Sequence, residues 1–352
     1  MTTPTQPAPT TAARAPLMTV ADLRKHFPIK RNLLGRTLSA VQAVDDISFQ
    51  VIKGETLGIV GESGCGKSTT ARLLMRLIEP DAGVVTFDGN TVGGAHGVGV
   101  RDLYRDVQMV FQDSYASLNP RMPISMSIAY GPLSQGMNRK AAMAVAVKLL
   151  EQVGLNPVLY ANRYPHELSG GQKQRVNIAR ALALRPRLVI LDEAVSALDK
   201  SIEAQILNLL IDLKQEYDLT YVFISHDLNV IRFISDRVMV MYLGHIVEVG
   251  RVEDIYARPE HPYTKALLAA MPSMDPRKRT ETAPITGDPP NPIDPPPGCR
   301  FRTRCPHAAQ ICEDRTPSLN DGAATGEGHL VACHMRDRRS GHPEARSSGA
   351  SQ

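Results

Sequence analysis

The residues best placed to do chemistry begin at Gly61. The run GESGCGKST fits G-x-x-x-x-G-K-[ST] through Gly61, Gly66, Lys67 and Ser68, and follows a strand-length apolar stretch at residues 57–60. Glycines let a backbone curl with no Cβ in the way, so successive N–H groups can point at an anion, and a helix starting near Lys67 adds the positive end of its dipole. Ser63, Gly64, Cys65, Gly66, Lys67, Ser68 and Thr69 are therefore expected to wrap a polyphosphate. Lys67 would neutralise the outer phosphates and Ser68 would offer its hydroxyl to Mg²⁺. A second constellation lies far downstream, where four apolar residues, 188–191, end abruptly in Asp192 and Glu193. Asp192 suits Mg²⁺ held through its water shell, and Glu193 suits a group that orients the attacking water.

These groups need elements to position them. An uninterrupted apolar run bounded by polar residues reads as a strand buried on both faces of a parallel sheet. Ligands of such sheets bind at the carboxyl ends of the strands, where both constellations fall. The expected fold is thus α/β with a phosphate-loop NTPase core. Such a loop serves kinases, GTPases, helicases and recombination ATPases alike, so it does not choose among them.

Composition sets outer bounds. The chain has 352 residues, 43% of them hydrophobic, enough for one large or two modest cores. Its formal charge of +4 is small beside 40 basic and 36 acidic residues, so the charge balance by itself argues for neither a nucleic-acid coat nor an acidic ligand, and no nucleic-acid partner is expected. No apolar stretch approaches the ~18 residues of a membrane span. Residues 1–17, rich in Thr, Pro and Ala, are expected to be a disordered arm, and 336–352 a solvated tail. Cys299, Cys305, Cys312 and Cys333 crowd near the C-terminus without any C-x-x-C pair of the kind found in zinc ribbons.

The choice among NTPases is made by LSGGQKQR at residues 168–175, which resembles the signature of ABC ATPases at every position of LSGGQ. The resemblance implies an inserted helical subdomain, here about 113–170, within a cassette spanning 18–250. It implies that Ser169, Gly170, Gly171 and Gln172 contact the γ-phosphate of ATP held by a partner subunit. Gln112 in MVFQDS resembles the glutamine that touches Mg²⁺ and links the site to membrane subunits, and residues 196–199 resemble the loop that crosses the dimer interface. His226 in YVFISHDL resembles the switch histidine that contacts the γ-phosphate. The family stacks adenine on an upstream aromatic residue; Phe27 is the choice here, with a core position on the first strand as its alternative. The stretch between Gln112 and Ser169 is short and lacks heptads, unlike the ABC ATPases of DNA repair.

Within the family the chain looks most like ATPases of oligopeptide and dipeptide importers, a group that includes nickel and glutathione systems, and more like the second of the two ATPases such importers use. AVDDISF, RYPHELSGGQKQR, HPYTKALL and CRFRTRC carry that likeness. It implies ATP hydrolysis driving peptide import, and a peripheral position on the cytoplasmic face of the bacterial inner membrane. The implied partners are a second ATPase subunit, two permeases that dock near residues 113–135, and an extracytoplasmic binding protein. An extension at 251–335 would carry the four cysteines, which in some relatives hold a [4Fe–4S] cluster; zinc or free thiols are the alternatives. An export ATPase, or an ABC ATPase serving an enzyme complex, would share the core.

Overall fold

Strands whose residues are buried on both faces build the centre of the molecule. A computed structural model describes residues 15–31, 37–93, 97–113, 115–271, 287, 290–321 and 328–345. The chain opens with a long antiparallel hairpin, β1 (Pro16–Arg31) and β2 (Thr37–Ile52), followed by β3 (Thr56–Val60) and α1 (Lys67–Leu74). Next come β4 (Ala82–Phe87), β5 (Asn90–Thr91), α2 (Val100–Asp106) and β6 (Val107–Val110). A helical stretch follows: α3 (Ile124–Ser134), α4 (Arg139–Gln152), α5 (Pro157–Tyr160) and α6 (Gly170–Leu182). The chain then returns to the sheet through β7 (Leu188–Asp192), α7 (Lys200–Tyr217), β8 (Thr220–Ile224), α8 (Leu228–Ile234), β9 (Arg237–Tyr242) and β10 (His245–Arg251). It ends with α9 (Val252–Ala257), α10 (Pro262–Ala269), α11 (Gln310–Asp314), β11 (Asn320–Asp321) and β12 (Leu330–Val331).

The main sheet has the order β11-β12-β10-β9-β3-β8-β7-β6, and its β9-β3-β8-β7-β6 segment is parallel. Every residue of β3, β7 and β8 is buried, which is why their sequences are mostly apolar, with polar Thr56, Asp192 and Thr220 only at strand ends. The hairpin belongs to a second sheet, β2-β1-β4-β5, which shares one hydrophobic core with β3 and α1. Helices α3, α4, α6 and α7 contribute to a second core on the other side of the main sheet. Local sequence sets the helix starts: Asn138 accepts from Ala141 N at 2.9 Å to open α4, and Asp227 accepts from Asn229 N at 2.9 Å to open α8.

Two expected boundaries move. Residues 1–14 lie outside the described residues, but Pro16 already begins β1 and Leu17 is buried. The tail expected from Arg336 is held through residue 345. Arg336 is buried and pairs with Glu260, Arg315 donates to Ser340 O at 2.7 Å, and His342 Nε2 lies 2.9 Å from His307 O. A polar segment orders itself when its charges find buried partners, and composition alone does not reveal them. Residues 346–352 lie outside the described residues.

Candidate active site

The turn from β3 into α1 requires its glycine at 66. That residue has φ of 108°, and a Cβ there would meet the carbonyl oxygen of Ala43 on β2 at 2.1 Å. The turn delivers Lys67 to a buried position where Nζ donates to Gly61 O at 2.8 Å and Glu62 O at 3.0 Å. Ser68, one residue on, donates from Oγ to Asp192 Oδ1 at 2.9 Å. The two constellations seen in the sequence thus meet, because β3 and β7 flank β8 in the parallel sheet.

Asp192 is 3% exposed. Burial pushes its carboxyl above the ordinary range, the Ser68 hydrogen bond draws it back, and the Glu193 charge pushes it up again. A buried oxygen-only donor set carrying excess negative charge fits a hard divalent cation such as Mg²⁺.

Glu193 leaves the strand in the left-handed region, with φ of 49°, a conformation that costs a non-glycine residue about 1–2 kcal/mol. Its backbone N–H donates to Ile224 O at 3.0 Å, anchoring the turn to β8. The side chain accepts from Gln112 Nε2 at 2.8 Å through Oε2, and its Oε1 lies 3.4 Å from Nδ1 of the largely exposed His226. The carboxylate is therefore reached from the ends of three strands, β6, β7 and β8.

A cavity of about 340 Å³ opens over the turn, lined by Ser63, Gly64, Gly66, Lys67, Ser68, Thr69, Gln112 and Glu193. The β1–β2 hairpin adds Phe27, 38% exposed, together with Val41, its pairing partner, and Ala43. Cys65 does not line it: its thiol is buried beside Lys67 Nζ at 3.8 Å, and burial raises its pKa. Asp192 enters the site through Ser68, and His226 through Glu193.

The residues 169–172 stand apart from this cavity. Ser169 caps α6, accepting from Gln172 N at 3.4 Å while Gln172 Oε1 accepts from Ser169 N at 3.0 Å, a reciprocal cap that fixes the helix tip. A Cβ at Gly171 would come within 2.6 Å of Ile202 Cγ2, so this tip sits tightly on α7. A Cβ at Gly170 would lie 3.7 Å from Leu198 Cδ2, an ordinary contact. On the other side of Gln112 lies a cleft of about 650 Å³, bounded by Phe111, Asp113, Ala116, Tyr130 and Leu184.

Cys299, Cys305, Cys312 and Cys333 converge on one small cavity, together with His261, His307, His334 and His342. Burial pushes the Cys299 thiol up to about 12 and that of Cys333 up to about 11, and raises that of Cys305. Among the described residues, no group of three or more His, Cys, Asp or Glu side chains is gathered as ligands for one metal ion. The four cysteines thus form a convergent set of unpaired thiols rather than a ready ligand cage.

Sequence reasoning missed the residues that bind the extension to the phosphate loop. Glu62 N donates to Tyr263 OH at 2.9 Å, and Arg304 NH1 reaches Glu62 Oε2 at 2.9 Å. Asp45 similarly gathers Arg24, His26, His245 and Arg300. HPYTKALL and CRFRTRC served only as marks of resemblance, and the clustered arginines of the latter were the available signal.

Comparison with known proteins agrees with this geometry. Residues 44–196 match the family described as ABC transporter, and residues 247–312 match the oligopeptide/dipeptide transporter C-terminal region. A probable peptide ABC transporter ATP-binding protein of Sinorhizobium fredii is 49% identical, covering 91% of this chain and 90% of the relative. The oligopeptide transport ATP-binding protein AppF of Bacillus subtilis is 47% identical, covering 93% of this chain and 99% of its own length. Among solved structures, the ATP-binding cassette MJ0796, as a dimer in a post-hydrolysis state bound to ADP and Pi, aligns with a TM-score of 0.58 at 26% identity. That alignment covers 67% of this chain and 98% of the other. The chain belongs to the ATP-binding proteins of ABC transporters, in the oligopeptide/dipeptide transporter group.

Proposed function

We propose that this chain is the ATP-hydrolysing subunit that powers peptide import through an ABC transporter. The observation that carries the reading is the meeting of Ser68 with Asp192, and of Gln112 and His226 with Glu193, at one cavity floored by the phosphate loop. The backbone of residues 63–69 would bind the phosphates of ATP and Lys67 would neutralise them. Ser68, Asp192 and Gln112 would hold Mg²⁺, which supplies charge neutralisation to the phosphates. Glu193 would accept a hydrogen bond from the attacking water and His226 would fix its position. Phe27, exposed at the cavity edge, would stack on adenine.

Ser169, Gly170, Gly171 and Gln172 are capped and ordered yet remote from their own cavity, which supports a site completed across a head-to-tail pair with a second ATPase subunit. The cleft beyond Gln112, with Tyr130 61% exposed on α3, suits a segment of two permeases, through which the cytoplasmic-face subunits would act on cargo brought by an outer binding protein. No helix among the described residues is long and apolar enough to cross a membrane, so the spanning parts are assigned to those permeases. The convergence of the four cysteines on one cavity supports a [4Fe–4S] cluster that would staple the extension, the thiols closing around it from their present wider spread. Anaerobically purified protein that is colourless and free of iron and sulfide would remove that assignment.

The test of the main reading uses the complex with its companion ATPase and permeases. With Glu193→Gln, ATP and Mg²⁺ should trap a closed ATPase pair, seen by cross-linking across the seam; Ser169→Arg should abolish the trap. A trap insensitive to Ser169→Arg, or no ATP-dependent closure, would overturn it.

A further inference from the structure

The extension beyond residue 250 reaches back to the phosphate loop at Glu62. The backbone N–H of Glu62 donates to the hydroxyl of Tyr263 on α10. Its carboxylate is gripped from both oxygens by Arg304, with NH1 at 2.9 Å from Oε2 and NH2 at 3.2 Å from Oε1. The Arg304 side chain is only 6% exposed and that of Glu62 26% exposed, so the pair is largely out of water. Arg304 is carried beside Phe301, whose ring packs edge-on to Tyr242 at 5.3 Å and against Tyr263 at 5.5 Å. Tyr242 ends β9, next to Met241, whose carbonyl oxygen would lie 2.2 Å from a Cβ on Gly61. Arg300 from the same segment donates to Leu243 O, and Gly244 N donates to Cys65 O at 2.9 Å. The loop is therefore contacted at Gly61, Glu62 and Cys65 by the extension or by the turn that the extension holds.

We infer that the extension braces the phosphate-binding loop, with Arg304 as a positioning residue that sets how tightly ATP is held. Two physical effects act together. The aromatic packing and the Tyr263 hydroxyl fix the backbone at Glu62, so less loop motion is lost when phosphate binds. The Arg304 guanidinium neutralises a carboxylate that would otherwise repel a polyphosphate a few residues away. A largely buried ion pair adds little net stability, but removing one partner leaves a costly lone charge. The charge-sensitive part of the brace therefore has a signature that a simple packing role lacks. The inference rests on residues 63–69 being the phosphate cradle.

In the intact complex, Arg304→Gln should weaken equilibrium binding of a fluorescent ATP analogue ~10-fold, as expected for an orphaned carboxylate beside the loop. KM for ATP should rise in step, while kcat at saturating ATP stays within ~2-fold. Adding Glu62→Gln to Arg304→Gln removes the orphaned charge and should recover much of the lost affinity. Wild-type affinity in Arg304→Gln, or a double variant weaker than Arg304→Gln alone, would overturn the brace. Should Arg304→Gln not fold, Tyr263→Phe isolates the bond to Glu62 N and should weaken binding ~3-fold or more; unchanged affinity there overturns the brace equally. Lys67→Ala, measured alongside, separates the two readings. If it also binds like wild type, the cradle itself is wrong; if it loses ATP while Arg304→Gln does not, only the brace fails.

Discussion

Gln112 donates to Glu193 across 2.8 Å, so the loop that leads towards the helices α3–α6 holds the carboxylate at the end of β7. A movement of those helices against the sheet would be felt first at this bond. An ionised carboxylate can polarise the attacking water and take up its proton, and Glu193→Gln keeps the size and one accepting oxygen while removing the charge and the basicity. Steady-state ATPase should fall on the order of 10² or more, with ATP affinity retained. Undiminished turnover would strip Glu193 of its role.

Ser68→Ala removes the hydroxyl that donates to Asp192 at 2.9 Å, and with it one oxygen of the cation site. The Mg²⁺ concentration for half-maximal ATPase should rise ~10-fold or more, as for loss of a metal-site partner. A titration curve that overlays wild type would place the cation elsewhere.

Two glycines of one loop should respond differently to alanine. Gly64 has φ of 80°, but a Cβ there meets nothing within 4 Å among the described residues, so Gly64→Ala should cost only backbone strain of ~1–2 kcal/mol. Gly66→Ala adds a backbone clash, 2.1 Å from Ala43 O, which the β1–β2 hairpin cannot relieve without shifting. It should lower the melting midpoint further than Gly64→Ala and abolish ATP binding. Equal effects in the two variants would contradict the tight seat of the hairpin on the loop.

Much of this site was legible in the sequence, for a physical reason. Strands β3 and β7 are buried on both faces, so they had to be apolar runs, and chemistry at their ends had to follow at once in sequence. Phe27 was harder, since its place depends on a long hairpin whose register no local pattern fixes; the structure pairs it with Val41 at the cavity. The bond from Arg304 to Glu62 was not legible at all, because the partners lie 242 positions apart and only tertiary packing, that of Phe301 on Tyr242 included, brings them together. Arg336 fails in the same way: its buried pairing with Glu260 contradicts its polar neighbourhood in the chain.

Asp45 supplies a prediction with a definite sign. Its carboxyl receives the His245 ring nitrogen at 3.2 Å, that of His26 at 2.9 Å and Arg24 Nε at 3.1 Å, and it pairs with Arg300. The His245 hydrogen bond, working against burial and helped by the Arg300 charge, holds its pKa far below the ordinary carboxylate range. Burial pushes the His245 ring down, while its hydrogen bond to Asp45 pulls the other way. A depressed folded-state pKa means stability fully present above the unfolded value of ~3.9 and lost as pH falls towards the folded one. Urea midpoints measured from pH 7 to pH 3 should therefore fall at the acid end for wild type. Asp45→Asn should be less stable at pH 7, by at most ~3–5 kcal/mol for leaving Arg300 without its carboxylate. Its acid limb should also be flatter, so the two curves converge as pH drops. Parallel curves would mean that Asp45 titrates alike in the folded and unfolded chains, and the four-way contact would carry no pH-linked stability.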